Sequence, residues 1–158
     1  MPSAKSRGFT LIEMIVVVLM VSILASAAMP LAAMSKRRAQ EAELRESLRT
    51  IRSAIDDYKR AWDQGRIEKK PDQTGYPPRL EVLVEGVVDT SSAEGRRIYF
   101  LRRLPRDPFA APDLPAAQTW GLRSYASPPD APQAGADVFD VYPQAGGVSL
   151  DGTPYRRW

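Results

Sequence analysis

Cysteine and histidine are both missing from the 158 residues. Their absence removes disulfides, thiol nucleophiles, thiolate or imidazole metal sites and the commonest acid/base group. A lipidated cysteine leader is excluded as well, whereas the redox compartment stays open, because disulfide-free proteins live on either side of a membrane. A catalytic site would have to be built from Asp and Glu alone, as two carboxylates in a cleft are in glycoside hydrolysis, and no spacing picks out such a pair. The chain lacks internal repeats and low-complexity tracts, and its length leaves room for one ordinary domain plus one long element outside its core. It also lacks a strong charge excess. The net charge is +3, but Lys5 and Arg7 stand in the first eight residues without an acid, and the remainder sets 20 basic against 19 acidic residues. That near-neutral balance gives no reason to expect nucleic acid. The pairs Arg96–Arg97, Arg102–Arg103 and Arg156–Arg157 read as solvated surface.

What is present begins with an apolar run from Phe9 to Met29, interrupted only by Thr10, Glu13, Ser22 and Ser26. As a helix, such a run spans roughly 30 Å, the thickness of a bilayer core. A cleaved secretory signal is the competing reading, with Ala25, Ser26 and Ala27 as a small-x-small site and Ala28 as the new start. Against it stand the length of the run and Glu13, because an unpaired carboxylate in hydrocarbon costs a few kcal/mol. Flanking charge does not set orientation, since Lys5 and Arg7 on one side face Lys36, Arg37 and Arg38 on the other.

After Pro30 the pattern turns amphipathic. Leu44, Leu48, Ile51, Ile55, Tyr58 and Trp62 recur at steps of four and three, the helical period. Glu41 and Arg45, Arg52 and Asp56, Asp56 and Arg60, and Lys59 and Asp63 stand at i,i+4 on the wet face. If Pro30 only kinks the helix, one rod of roughly 80 Å runs from about Thr10 to Trp62. Its first half has no small domain of its own to be buried in, so a bilayer or other copies must cover it.

Beyond Trp62, Gly65, Pro71, Gly75, Pro77 and Pro78 mark a loop, with a short helix expected around Leu80–Val84. Strand candidates follow at Ile98–Leu101, Trp120–Ala126 and Val138–Tyr142. The expected fold class is therefore α+β: a long N-terminal α-helix, membrane-spanning in its first half and amphipathic in its second, packed on a small antiparallel sheet.

The segment Lys5-Ser6-Arg7-Gly8-Phe9-Thr10-Leu11-Ile12-Glu13 resembles the processing site of type IV prepilins and pseudopilins: a short basic leader, Gly, an aromatic residue, then Glu as the fifth residue of the mature chain. The resemblance implies that a prepilin peptidase cuts between Gly8 and Phe9 on the cytoplasmic side and methylates the new amino terminus of Phe9. It implies three parts: a cleaved leader over 1–8, a transmembrane and filament-core helix over 9–35, and a periplasmic globular domain over 36–158. Glycine suits the cut because it has no side chain to obstruct a protease. Glu13 is then the informative residue. The ammonium freed on Phe9 of a neighbouring copy would neutralise it and set the register of assembly, while the alternative is a carboxylate snorkelling to the membrane edge. Pro30 is residue 22 counted from Phe9, where the family carries a proline. Helices of the family melt upstream of it in filaments, often near a glycine that is Ser22 here. A simple kink is the other possibility.

The second half narrows the resemblance. Arg102-Arg103-Leu104-Pro105-Arg106-Asp107-Pro108-Phe109 is similar to the Leu-Pro-x-Asp-Pro-aromatic segment of major pseudopilins of type II secretion systems, and Trp120–Tyr125, Asp137–Tyr142 and Leu150–Tyr155 resemble their later strands and terminal loop. Residues 63–97 match poorly. The terminal loop of those proteins holds calcium through carbonyls and carboxylates. Here only Asp140 and Asp151 are at hand, and Gln144 stands where an acid is expected, so Gly turns and packing of Tyr142, Tyr155 and Trp158 are the alternative. The implied function is a non-enzymatic pseudopilus subunit. Its implied partners are copies of itself, minor pseudopilins, the prepilin peptidase, and the inner-membrane platform with its ATPase. A type IV or minor pilin and a membrane-tethered binding module are the other readings, and no cofactor beyond calcium is expected.

Overall fold

A computed structural model describes residues 8–158, and the side chains of residues 27–30 fall outside that description. Helix α1 occupies Leu11–Asp63 without a break, passing through position 30. The chain divides into two compact units, residues 1–39 and 40–158. In the first, apolar side chains from Leu11 to Leu24 are exposed, and among the described residues of that unit helix α1 is the one element. In the second, the predicted stripe is buried: Leu44, Leu48, Ile51, Ile55, Tyr58 and Trp62 all face the core, joined by Ala54 and Ala61. The period of 3.6 residues carries these positions to one face, and burial of each large side chain contributes about 1.5–3 kcal/mol before entropy is counted.

Helix α1 ends in a Schellman arrangement. Gly65 sits at φ 72°, the Gly65 N–H donates to the Trp62 carbonyl (2.9 Å), and the Arg66 N–H reaches back to Ala61 (2.9 Å). The following loop is tied down rather than loose. Gly75 approaches Trp62 so closely that a Cβ there would lie 2.6 Å from the indole. Arg66 pairs with Asp89 at 2.5 Å, and the Asp89 carboxylate also accepts from the Ser91 N–H (3.0 Å). These partners, Arg66 foremost, lower the Asp89 pKa to about 2.

The short helix expected near Leu80–Val84 is α2, Val82–Glu85. Strands β1 (Val87–Val88) and β2 (Arg97–Ile98) pair antiparallel, as do β3 (Trp120–Arg123) and β4 (Asp140–Pro143), whose register sets Trp120 opposite Pro143 and Arg123 opposite Asp140. The antiparallel sheet structure is thus two separate two-stranded ribbons. The expected strand at Ile98–Leu101 stops after Ile98, because the Phe100 and Leu101 N–H groups both turn to the Leu83 carbonyl (3.0 and 2.9 Å). Both ribbons and α2 feed one core, in which Leu83, Trp120, Val138, Val141 and Tyr155 meet the α1 stripe.

The Leu-Pro-x-Asp-Pro segment is fastened to the start of β3. The Trp120 indole donates to the Pro105 carbonyl (2.9 Å), the Asp107 N–H to Thr119 Oγ1 (3.1 Å), and the Phe109 N–H to Asp107 Oδ1 (2.8 Å). Asp107 is wholly buried and its Oδ2 meets no hydrogen-bond donor among the described residues, so burial raises its pKa against the pull of the Phe109 N–H.

Candidate functional site: the helix N-terminus and the terminal loop

Residues 1–7 of the expected leader lie outside the described residues. Among the described residues, a side chain at Gly8 would meet nothing within 4 Å, and Phe9 is 79% exposed. Thr10 then acts as the N-cap of α1. Its hydroxyl accepts from the Glu13 N–H (3.3 Å), the Glu13 carboxylate accepts from the Thr10 N–H (3.4 Å), and the Met14 N–H closes the first helical bond on the Thr10 carbonyl (3.2 Å). This reciprocal pair is a capping box, and the Thr-x-x-Glu spacing that encodes it stands open in the sequence although only the charge of Glu13 drew notice there. In the single chain Glu13 therefore has local work: it satisfies a helix donor and lies at the positive end of the helix dipole.

Downstream, an apolar window of α1 with mean hydropathy 2.5 and no burial within the chain is long and apolar enough to cross a bilayer. Ser22, where a glycine was expected from the resemblance, turns its hydroxyl back onto the Val18 carbonyl (2.7 Å), which ties it to the preceding turn. Pro30 supplies no N–H to the helix it lies in, and its side chain is outside the described part.

At the other end of the chain, the two acids considered as metal ligands are each met by guanidinium groups. Asp140 Oδ1 accepts from Arg52 Nε (2.7 Å) and Asp140 Oδ2 from Arg123 (3.4 Å). Asp151 accepts from the Ser149 hydroxyl and the Thr153 N–H (2.9 Å), and Arg45 lies 3.9 Å away. The Ser149 hydroxyl leads these in lowering the Asp151 pKa. Gln144 donates through Nε2 to the Trp120 carbonyl (2.8 Å). Sequence reasoning missed Glu41: it is buried on α1, and one carboxylate oxygen accepts from both the Leu150 N–H (2.8 Å) and the Tyr155 hydroxyl (2.9 Å). Among the described residues, no group of three or more Asp or Glu is arranged to hold a metal. Phe109 stacks on Tyr155, and Trp158 meets Tyr155 edge-on, so the aromatic packing expected of this loop is present for those rings.

The prokaryotic N-terminal methylation motif matches residues 3–29. A capped, exposed apolar helix that begins inside that motif and runs into a small α+β unit defines the class: a subunit of prepilin type whose helix is long and apolar enough to cross a membrane. Among curated proteins, the type II secretion system core protein G of Klebsiella pneumoniae is 31% identical over 112 residues, covering 68% of this chain and 71% of that one. The protein of the same name in Escherichia coli (strain K12) is 30% identical over 66% of this chain and 68% of its own, and that of Vibrio cholerae is 31% identical over 66% of each. The chain belongs to the type II secretion system core protein G family. No solved structure matches it.

Proposed function

We propose that the protein is a structural subunit of a type II secretion pseudopilus and that it polymerises through the first half of α1 to drive protein export. It needs no catalytic residue for this. The leader is removed between Gly8 and Phe9 by a prepilin peptidase, Phe9 is N-methylated, and the chain waits in the inner membrane with its amino terminus cytoplasmic and residues 36–158 periplasmic. An ATPase-driven platform then lifts it into a filament shared with minor pseudopilins.

The observation that carries this reading is a carboxylate at the head of an apolar surface that its own chain leaves uncovered: Glu13 precedes Ile15, Val16, Val17, Val18 and Leu19, all exposed. A charged side chain at bilayer depth costs about 3 kcal/mol on insertion scales. The capping box offsets part of that cost in the single subunit. Packing against a copy supplies the remainder, because cleavage creates a cation on Phe9 that a neighbour can bring to Glu13. The same exposed apolar surface that lipid covers before assembly is then covered by sister helices.

Mass spectrometry of the mature amino terminus tests the reading. A methylated Phe9 is expected, and a start at Ala28 would make the protein an ordinary secreted domain.

A further inference from the structure

The strongest feature outside that reading is Arg52, on the second half of α1, which gathers two separate pieces of the chain's end, β4 and Trp158. Its Nε donates to Asp140 Oδ1 (2.7 Å), and its Nη2 donates to the Val141 carbonyl (3.0 Å) and to a main-chain oxygen of Trp158 (2.7 Å). A carboxylate and two main-chain oxygens converging on one positive group are the ligand set a hard cation would seek. Here the positive charge at their focus is covalently part of α1.

We propose that Arg52 is a built-in cation that fastens β4 and the terminal loop to α1, and that this loop is metal-independent. A calcium ion takes six to eight oxygens at 2.3–2.6 Å. The acids at hand do not fit that need, because both oxygens of Asp140 face guanidinium groups, of Arg52 and Arg123, and Asp151 is engaged by Ser149, Thr153 and Arg45. A divalent ion on Asp140 would have to displace or crowd two guanidinium groups in a partly buried site, where like charges a few ångströms apart repel, and one on Asp151 would meet a third in Arg45. The guanidinium suits its task because its planar fork offers several donors in fixed directions, so a single side chain bridges groups that a metal would otherwise collect. The far side of the loop is held from a second point on α1, by the Glu41 carboxylate on the Leu150 N–H and the Tyr155 hydroxyl. Both fastenings originate on α1 eleven positions apart, so the loop is stapled to one rigid element at two points.

This inference stands on the loop's geometry and goes beyond the pseudopilus reading. Its test is hydrogen exchange of the full chain in detergent, read by mass spectrometry over residues 140–158, with millimolar calcium and with a chelator. Exchange there is expected to be the same in both conditions. In Arg52→Gln it is expected to quicken by about tenfold or more, while the α1 amides from 44 to 62 keep their protection. Arg52→Lys, which keeps the charge but not the fork, is expected to fall between the two, and it serves as the reporter should the Gln variant lose protection throughout. Slower loop exchange in the unaltered chain on adding calcium would overturn the proposal. So would loop exchange in Arg52→Lys equal to that of the unaltered chain.

Discussion

Helix α1 carries two opposite solutions to the same problem. From Leu44 to Trp62, every large apolar side chain at the expected spacing is buried by loops and ribbons of the same chain. From Leu11 to Leu24, side chains at least as apolar are left exposed, from 44% at Val16 to 78% at Leu11. Helix formation is common to both stretches, so secondary structure does not distinguish them. The difference lies in the partners at hand: residues 64–158 supply Leu83, Trp120, Val138 and Val141 to one stretch, and among the described residues of the first unit no side chain covers the other. An apolar surface of this length left to solvent is strongly unfavourable, and that is the cost the proposed cover of lipid, then of sister helices, would relieve.

Substitutions matched across the two stretches are the sharpest way to break that contrast. Ile51→Ala, at a fully buried position, is expected to cost about 2–5 kcal/mol in thermal or denaturant unfolding of the globular unit, whereas Ile15→Ala is expected to leave that transition where it was. Equal effects would mean that the exposed stretch is packed after all. Within the buried unit, Asp107→Ala strands the Phe109 N–H and is expected to cost about 1–3 kcal/mol, and Asp107→Asn, which keeps an acceptor and removes a buried charge, is expected to cost less. A denaturant titration ranks the two.

Acid offers a third probe. The Asp89 pKa is lowered from 3.8 to about 2 by Arg66 and Ser91, so the stabilisation it provides is complete above the unfolded value and drains away as pH falls from 3.8 toward 2. Asp107 runs the other way: its raised pKa means that protonation on acidification favours the folded form. Melting curves across that window should show a smaller acid loss in Asp89→Asn than in the unaltered protein, and an identical profile would refute the role given to the pair. The smallest change expected is Lys59→Ala, which removes an i,i+4 pair with Asp63 on the outside of α1 and should shift stability by only a few tenths of a kcal/mol.

The helix and its buried face were legible in the sequence because a period of 3.6 is a local property that Leu44, Leu48 and Ile51 display unaided. The ribbons were less so. Strand β1 has two residues, Val87 and Val88, too few for alternation to register, and it exists only because Arg97 and Ile98 come back to pair with it. Charge partners were the least legible. Arg52 stands four residues from Asp56 yet bonds to Asp140, and Arg60 turns to Asp57 rather than Asp56. Spacing along one helix says nothing of a strand that folding brings alongside. For the same reason Glu41 passed as a surface acid until the Leu150 N–H and the Tyr155 hydroxyl were found on it. At the amino terminus the opposite holds: Thr10 and Glu13 are local partners, and their capping box needed only the Thr-x-x-Glu spacing to be read.

That local bond also decides how the intermolecular role of Glu13 is best tested. Alanine at position 13 removes both the cap and the charge, whereas Glu13→Gln keeps an oxygen for the Thr10 N–H and removes only the charge. The decisive measurement is the amount of Glu13→Gln subunit in the sheared filament fraction, beside its amounts in the membrane and in processed form. The pairing of Glu13 with a neighbour's Phe9 terminus predicts a variant that is cleaved and membrane-bound but nearly absent from filaments. Incorporation equal to that of the unaltered subunit would contradict it.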